Sequence, residues 1–79
     1  MMNPELAKKK IKQLISKIPG PDRKKVIAAF LNMSKARNLR EDHVYKARFI
    51  SQYCEALKEL PRSERKKICK ELRNLVRSL

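Results

Sequence analysis

Apolar side chains recur along this chain at intervals of three and four, the period of an α-helix that buries one face, in four successive stretches. In the first, "NPELAKKKIKQLISKI", the stripe is Ala7, Ile11, Leu14, Ile15 and Ile18. Asn3 is placed to cap this segment, and Pro4 stands at the first helical position, where a missing N–H costs nothing. A helix over residues 4–17 is predicted, ended by the "PGP" of residues 19–21, which cannot continue the hydrogen-bond ladder. Pro21 and Asp22 then open a second helix over residues 22–36, with Val26, Ile27, Phe30, Leu31 and Ser34 along one face and the small Ala28 and Ala29 allowing a neighbour to approach closely. "ARNL" interrupts the pattern, and Asn38 followed three residues later by Glu41 has capping-box spacing, with Asn in place of Ser or Thr. The third predicted helix covers residues 40–59. Its main stripe is Val44, Ala47, Ile50, Cys54 and Leu57, widened by Phe49, Tyr53 and Leu60, and Pro61 stops it. Ser63 is the expected N-cap of a fourth helix over residues 63–78, whose apolar side carries Ile68, Cys69, Leu72, Leu75, Val76 and Leu79.

No strand-like alternation occurs anywhere, so the expected fold is all-α: a small antiparallel four-helix bundle made of two helical hairpins, in one domain spanning residues 1–79. A chain of 79 residues lies near the lower limit for burying a self-sufficient core. A homodimer formed through an apolar strip left uncovered is therefore a secondary expectation. The two hairpin turns resemble each other in sequence. "IPGPDRKKVIAAFLNM" and "LPRSERKKICKELRNL" pair Pro19 with Pro61, the Arg-Lys-Lys of residues 23–25 with that of residues 65–67, and Asn32 with Asn74. Asp22 and Glu64 also correspond. Duplication and shared hairpin grammar account for this pairing equally well.

Charge changes the picture more than any other compositional feature. Lys and Arg number 21 against 8 Asp and Glu, giving a net charge of +13 and an isoelectric point near 10.3. Such an excess attracts polyanions, which means nucleic acid, an acidic protein surface or anionic lipid. On the fourth helix Lys66, Lys70, Arg73 and Arg77 follow one another at steps of four, three and four, forming one cationic stripe with Arg65, Lys67 and Arg62 near its start. A face that is merely solvated mixes signs, because like charges at these spacings repel by a few tenths of a kcal/mol per pair. The two Arg-Lys-Lys runs, Arg23-Lys24-Lys25 and Arg65-Lys66-Lys67, fall where a helix dipole disfavours cations and where a bound phosphate would relieve them. Cations lying deeper in the helix would cost almost nothing and serve only solubility.

These nine residues, Arg65, Lys66, Lys67, Lys70, Arg73, Arg77, Arg23, Lys24 and Lys25, are the candidate binding set for nucleic acid or an acidic partner. Four aromatic residues, Phe30, Phe49, Tyr45 and Tyr53, mostly on core stripes, are poor stacking platforms for single strands, so duplex DNA or structured RNA held by its phosphates fits better. A helix-turn-helix built on the second and third helices would read bases with Lys46, Arg48 and Gln52, although the turn lacks its usual Gly.

Chemistry beyond binding finds little support. His43 is the sole histidine and has no nucleophile nearby in sequence, while Glu55 and Glu59 are better placed to pair with Lys58 or Arg62 than to act as an acid–base couple. There is no phosphate-cradling Gly loop and no spacing for a metal, so no enzyme activity, small-molecule substrate or cofactor is expected. Cys54 and Cys69 lack metal-site or redox-motif spacing and are expected to be small buried hydrophobes in a reducing, cytoplasmic compartment, the alternative being a single disulfide between adjacent helices. The lysine-interrupted N-terminal segment does not read as a signal peptide, and helices that spend their apolar faces on a core argue against membrane-surface attachment. The expected function is that of a small, basic, non-enzymatic regulatory protein that binds nucleic acid. The alternative is an adaptor or inhibitor that docks on an acidic partner protein.

Overall fold

A computed structural model describes residues 3–79. Four helices follow in order: α1 (Pro4–Ser16), α2 (Gly20–Met33), α3 (Leu39–Ala56) and α4 (Arg62–Arg77). They form the antiparallel four-helix bundle that the periodicity predicts. Its most extensive packing joins α2 to α3, while α4 packs on both α1 and α3.

Local chemistry fixes the helix ends. The Asn3 side chain accepts a hydrogen bond from the Glu5 amide at 2.8 Å, and Asn38 accepts one from the Glu41 amide at 2.9 Å. The expected reciprocal half of that second cap is shifted by one residue: the Glu41 carboxylate accepts from the Arg37 amide at 3.3 Å. At the other two starts prolines hold the cap position, in the place of Ser63 at the second of them. Pro19 caps α2, which begins at Gly20 and not at residue 22, and Pro61 caps α4, leaving Ser63 inside the first turn. Both prolines are extended (φ −55°, ψ 146° and φ −53°, ψ 144°), and the Pro carbonyl accepts the first helical hydrogen bond, from Arg23 at 2.9 Å and from Arg65 at 3.0 Å. A rigid φ near −65° needs little further ordering to launch a helix, which is why Ser63 is not required as a cap. Helix α2 ends three residues earlier than predicted, at Met33, where a tight turn follows and the Ser34 hydroxyl donates to the Leu31 carbonyl at 2.8 Å. Helix α3 likewise closes at Ala56 in a run of short turns through Leu60.

The core is built from Ala7, Ile11, Ile15 and Ile18; Val26 and Met33; Phe49, Tyr53 and Leu57; and Cys69, Leu72, Leu75 and Val76. The α1 and α4 stripes are as predicted. The other two helices are rolled about their axes. On α2, Val26, Ala29, Phe30 and Met33 face inward, and Ile27 and Leu31 are turned out, Leu31 by 57%. On α3, Tyr45, Phe49 and Tyr53 hold the centre, while Val44, Ala47 and Leu60 lie at the surface. The cause is area: an aromatic ring buries far more surface than Val or Ala, so α3 turns its rings inward. Phe30 and Phe49 meet at 5.5 Å between ring centroids, and Phe49 and Tyr53 at 6.3 Å edge to face. Tyr53 then donates its hydroxyl to the Leu14 carbonyl at 3.1 Å, tying α3 to α1. No charged side chain is buried among the described residues. All the cations therefore reach the surface.

Candidate nucleic-acid interface

The first cation of each Arg-Lys-Lys run is occupied within the fold. Arg23 donates from Nε to the Ile18 carbonyl at 3.0 Å, and Arg65 reaches back from Nη1 to the Lys58 carbonyl at 3.5 Å. Each Arg thus covers a carbonyl left free where the preceding helix ends, a role suited to a long cation near a C-terminus. Counting from the proline caps, each run lies in the second turn of its helix, behind Asp22 or Glu64. The helix dipole has largely faded there, so the runs cost little, and the terminal anion site considered from the sequence is not where they sit.

The two runs also face different surroundings. Lys24 and Lys25 are exposed on α2, and Lys25 belongs to a groove between α2 and α3 that is lined by Tyr45, Arg48 and Gln52 as well. Lys66 belongs to the seam between α3 and α4. There a groove of about 520 Å³ gathers Arg62, Arg65, Lys66 and Arg73 from α4 with Lys58 from the turn between α3 and α4. A second groove continues it toward the end of α4, where Arg73 and Arg77 meet His43 and Lys46. Arg73 lines both grooves and is the centre of the surface. Lys67 and Lys70 are exposed on α4 without lining either groove. The structure therefore brings together Arg65, Lys66, Arg73 and Arg77 from the candidate set and leaves Arg23, Lys24 and Lys25 elsewhere.

Lys46 of α3 and Lys58 of the turn after it lie outside that set. Nothing in their own segment marks them, since they join the stripe only through the way α3 and its closing turn dock on α4. Arg62, which the sequence places near the start of the stripe, lies in the same groove.

The seam is nearly free of compensating charge. Glu55 is the one acidic side chain lining the first groove, and the second has none. Among the described residues a single ion pair forms, Lys46 with Asp42 at 2.8 Å. The expected pairing of Glu55 and Glu59 with Lys58 or Arg62 is not made, because solvated side chains gain too little from it to hold two flexible chains together. Lys58, Arg62, Lys66, Arg73 and Arg77 consequently point no hydrogen bond or ion pair at the protein. The helix-turn-helix reading loses its reading face: Arg48 and Gln52 line one groove between α2 and α3, whereas Lys46 lies outside it and lines two others.

The two cysteines lie at the floor of the first groove as free thiols, Cys69 buried and Cys54 half-buried. Burial pushes the Cys54 thiol up to about 12, as does its hydrogen bond with Cys69, against the opposing pull of Arg73 and Arg65. Burial likewise raises Tyr53 to about 12, with smaller contributions from Cys69, Cys54 and Glu71. Among the described residues no group of three or more potential ligands could hold a metal ion, and no helix is long and apolar enough to cross a membrane.

The fold and this surface define a small helical bundle with one cation-lined seam. No protein-family model, curated protein or solved structure matches the chain.

Proposed function

We propose that this chain is a non-enzymatic regulatory protein that binds duplex DNA or structured RNA through phosphate contacts along the α3–α4 seam. The observation that carries this reading is convergence without compensation. Five cations, four on α4 and Lys58 in the turn that leads into it, share one surface, with a single acidic side chain among them and no partner of their own. Their mutual repulsion is relieved when counterions or phosphates fill the seam.

Five phosphate contacts predict a slope of about −4.5 for log K against log salt on duplex DNA, hence roughly 500-fold weaker binding on going from 50 to 200 mM salt. The test is a salt titration of a fluorescent duplex with two charge-matched variants. Lys66→Glu with Arg73→Glu, in the seam, is expected to abolish binding and flatten the slope. Lys24→Glu with Lys25→Glu removes the same charge from α2 and is expected to weaken binding only modestly. Equal losses in the two variants would mean that net charge alone attracts the duplex, and the seam would not be the interface.

One observation favours the alternative of docking on an acidic protein. A groove formed by α1, α2, α3 and Leu79 is lined by Phe30, Leu31 and Met33 together with Lys8, Lys12 and Lys46, the last paired with Asp42. Under that reading Leu31→Glu destroys a stoichiometric complex with the partner and leaves duplex binding unchanged.

A further inference from the structure

Cys54 and Cys69 are fifteen positions apart in sequence, but α3 and α4 bring both into the lining of one groove, near enough for each thiol to feel the other, and five cations line the same groove. Neither thiol has a metal cluster or an oxidised partner to account for it. We propose that this groove is a thiol–disulfide exchange site for anionic low-mass disulfides, in which Cys54 attacks, Cys69 resolves, and α3 becomes covalently joined to α4. The proposal stands on the groove alone and does not depend on nucleic-acid binding.

The chemistry balances with one disulfide molecule as oxidant. The Cys54 thiolate attacks one sulfur of the reagent, a Cys54–reagent S–S bond forms, and the reagent's own S–S bond breaks. Its other half leaves as a thiolate and takes a proton from water. Cys69 then gives its proton to solvent and attacks the Cys54 sulfur, expelling the second half as a thiol. The protein dithiol is oxidised by two electrons, and one disulfide is reduced to two thiols. Cys54 takes the first step because it is half-buried and open to the groove beside Arg65 and Arg73, whereas Cys69 is only 7% exposed. Selectivity comes from the walls: Lys58, Arg62 and Lys66 raise the local concentration of an anion and repel a cation.

Burial sets the tempo. A thiol held at about 12 offers little thiolate near neutrality, so closure is slow. A thiol that ionises with difficulty is also a poor leaving group, so the bond, once closed, resists reduction. The site is thus a latent cross-link and not a rapid peroxide sensor.

The test uses the reduced full-length chain and three disulfides of different charge: glutathione disulfide (anionic), hydroxyethyl disulfide (neutral) and cystamine (cationic). Free thiol and intact mass are followed with time at low salt. Glutathione disulfide is expected to react at least about ten-fold faster than cystamine, with the gap closing at high salt. The product is a monomer in which peptide mapping finds a Cys54–Cys69 bond. Cys69→Ala is expected to halt at a glutathione adduct on Cys54. Lys66→Glu with Arg73→Glu removes the preference, and Lys24→Glu with Lys25→Glu keeps it. Circular dichroism checks that each variant is helical, and the reagent series on the unsubstituted chain decides the matter where one is not. Cystamine reacting as fast as glutathione disulfide would refute the selectivity. Disulfide-linked dimers, or an adduct that never closes, would refute the exchange site itself.

Discussion

Replacing Tyr53 by Phe removes one hydroxyl and nothing else, so its consequences can be worked out from the structure. The ring is buried and its edge-to-face contact with Phe49 survives, so no cavity opens. What is lost is the 3.1 Å hydrogen bond to the Leu14 carbonyl, a link between α3 and α1. That carbonyl keeps a second donor, the Lys17 amide at 3.2 Å, so it is not orphaned. The cost at neutral pH should then be the ordinary net value for a hydrogen bond, about 1 kcal/mol, or roughly 4–8 °C in Tm for a chain of this size.

The pH dependence gives the sharper test. In the folded protein Tyr53 ionises near 12, against 10 when unfolded. Between those values the unfolded chain binds fewer protons than the folded one, so the Tyr53 contribution falls as pH rises, by about 1.4 kcal/mol per pH unit. The parent-minus-variant difference in unfolding free energy cancels the titration of the lysines and of Cys54. It should start near 1 kcal/mol at neutral pH, shrink above pH 10, and change sign about one pH unit later. Urea unfolding followed by circular dichroism from pH 7 to 11.5 measures it. A difference that stays constant across this range would show that the phenol is not held in its neutral form by the fold, and the account of the buried hydroxyl would fail.

Further expectations concern the turns and the thiols. Asn38→Ala should cost about 1 kcal/mol through the lost cap on α3, whereas Ser63→Ala should change stability by less than about 0.5 kcal/mol, because Pro61 and not Ser63 caps α4; thermal unfolding distinguishes the two. Arg23→Ala should lower stability by about 1 kcal/mol through the Ile18 carbonyl, while Lys24→Ala should be neutral. That contrast would separate the structural cation of the run from its solvated neighbour. Closing Cys54 to Cys69 should raise unfolding free energy by about 3 kcal/mol for a loop of roughly fifteen residues, seen as a higher Tm in the oxidised than in the reduced sample. An oxidised form that melts lower would mean that the bond strains the α3–α4 contact.

Some features were determined by the sequence alone because their causes are local. Apolar spacing, the two Asn caps and the proline turns set four helices and their order, since each depends on residues within a turn or two of one another. The α4 stripe was legible for the same reason: Lys66, Arg73 and Arg77 share a face of any helix they form. What the tertiary structure decided is roll and register. A helix with apolar residues at adjacent positions can bury either of two overlapping stripes, and on α2 and α3 the choice fell to the aromatic rings that meet as Phe30, Phe49 and Tyr53, leaving Ile27, Leu31 and Val44 outside. The docking of α3 on α4 then placed Lys58 beside Arg62 and Lys66, and Cys54 against Cys69, none of which follows from spacing along one helix. The paired Arg-Lys-Lys runs show both levels together. Their resemblance comes from two proline-capped turns that each need an Arg to cover a free carbonyl, and only the second run continues along its own helix into further cations, Arg73 and Arg77.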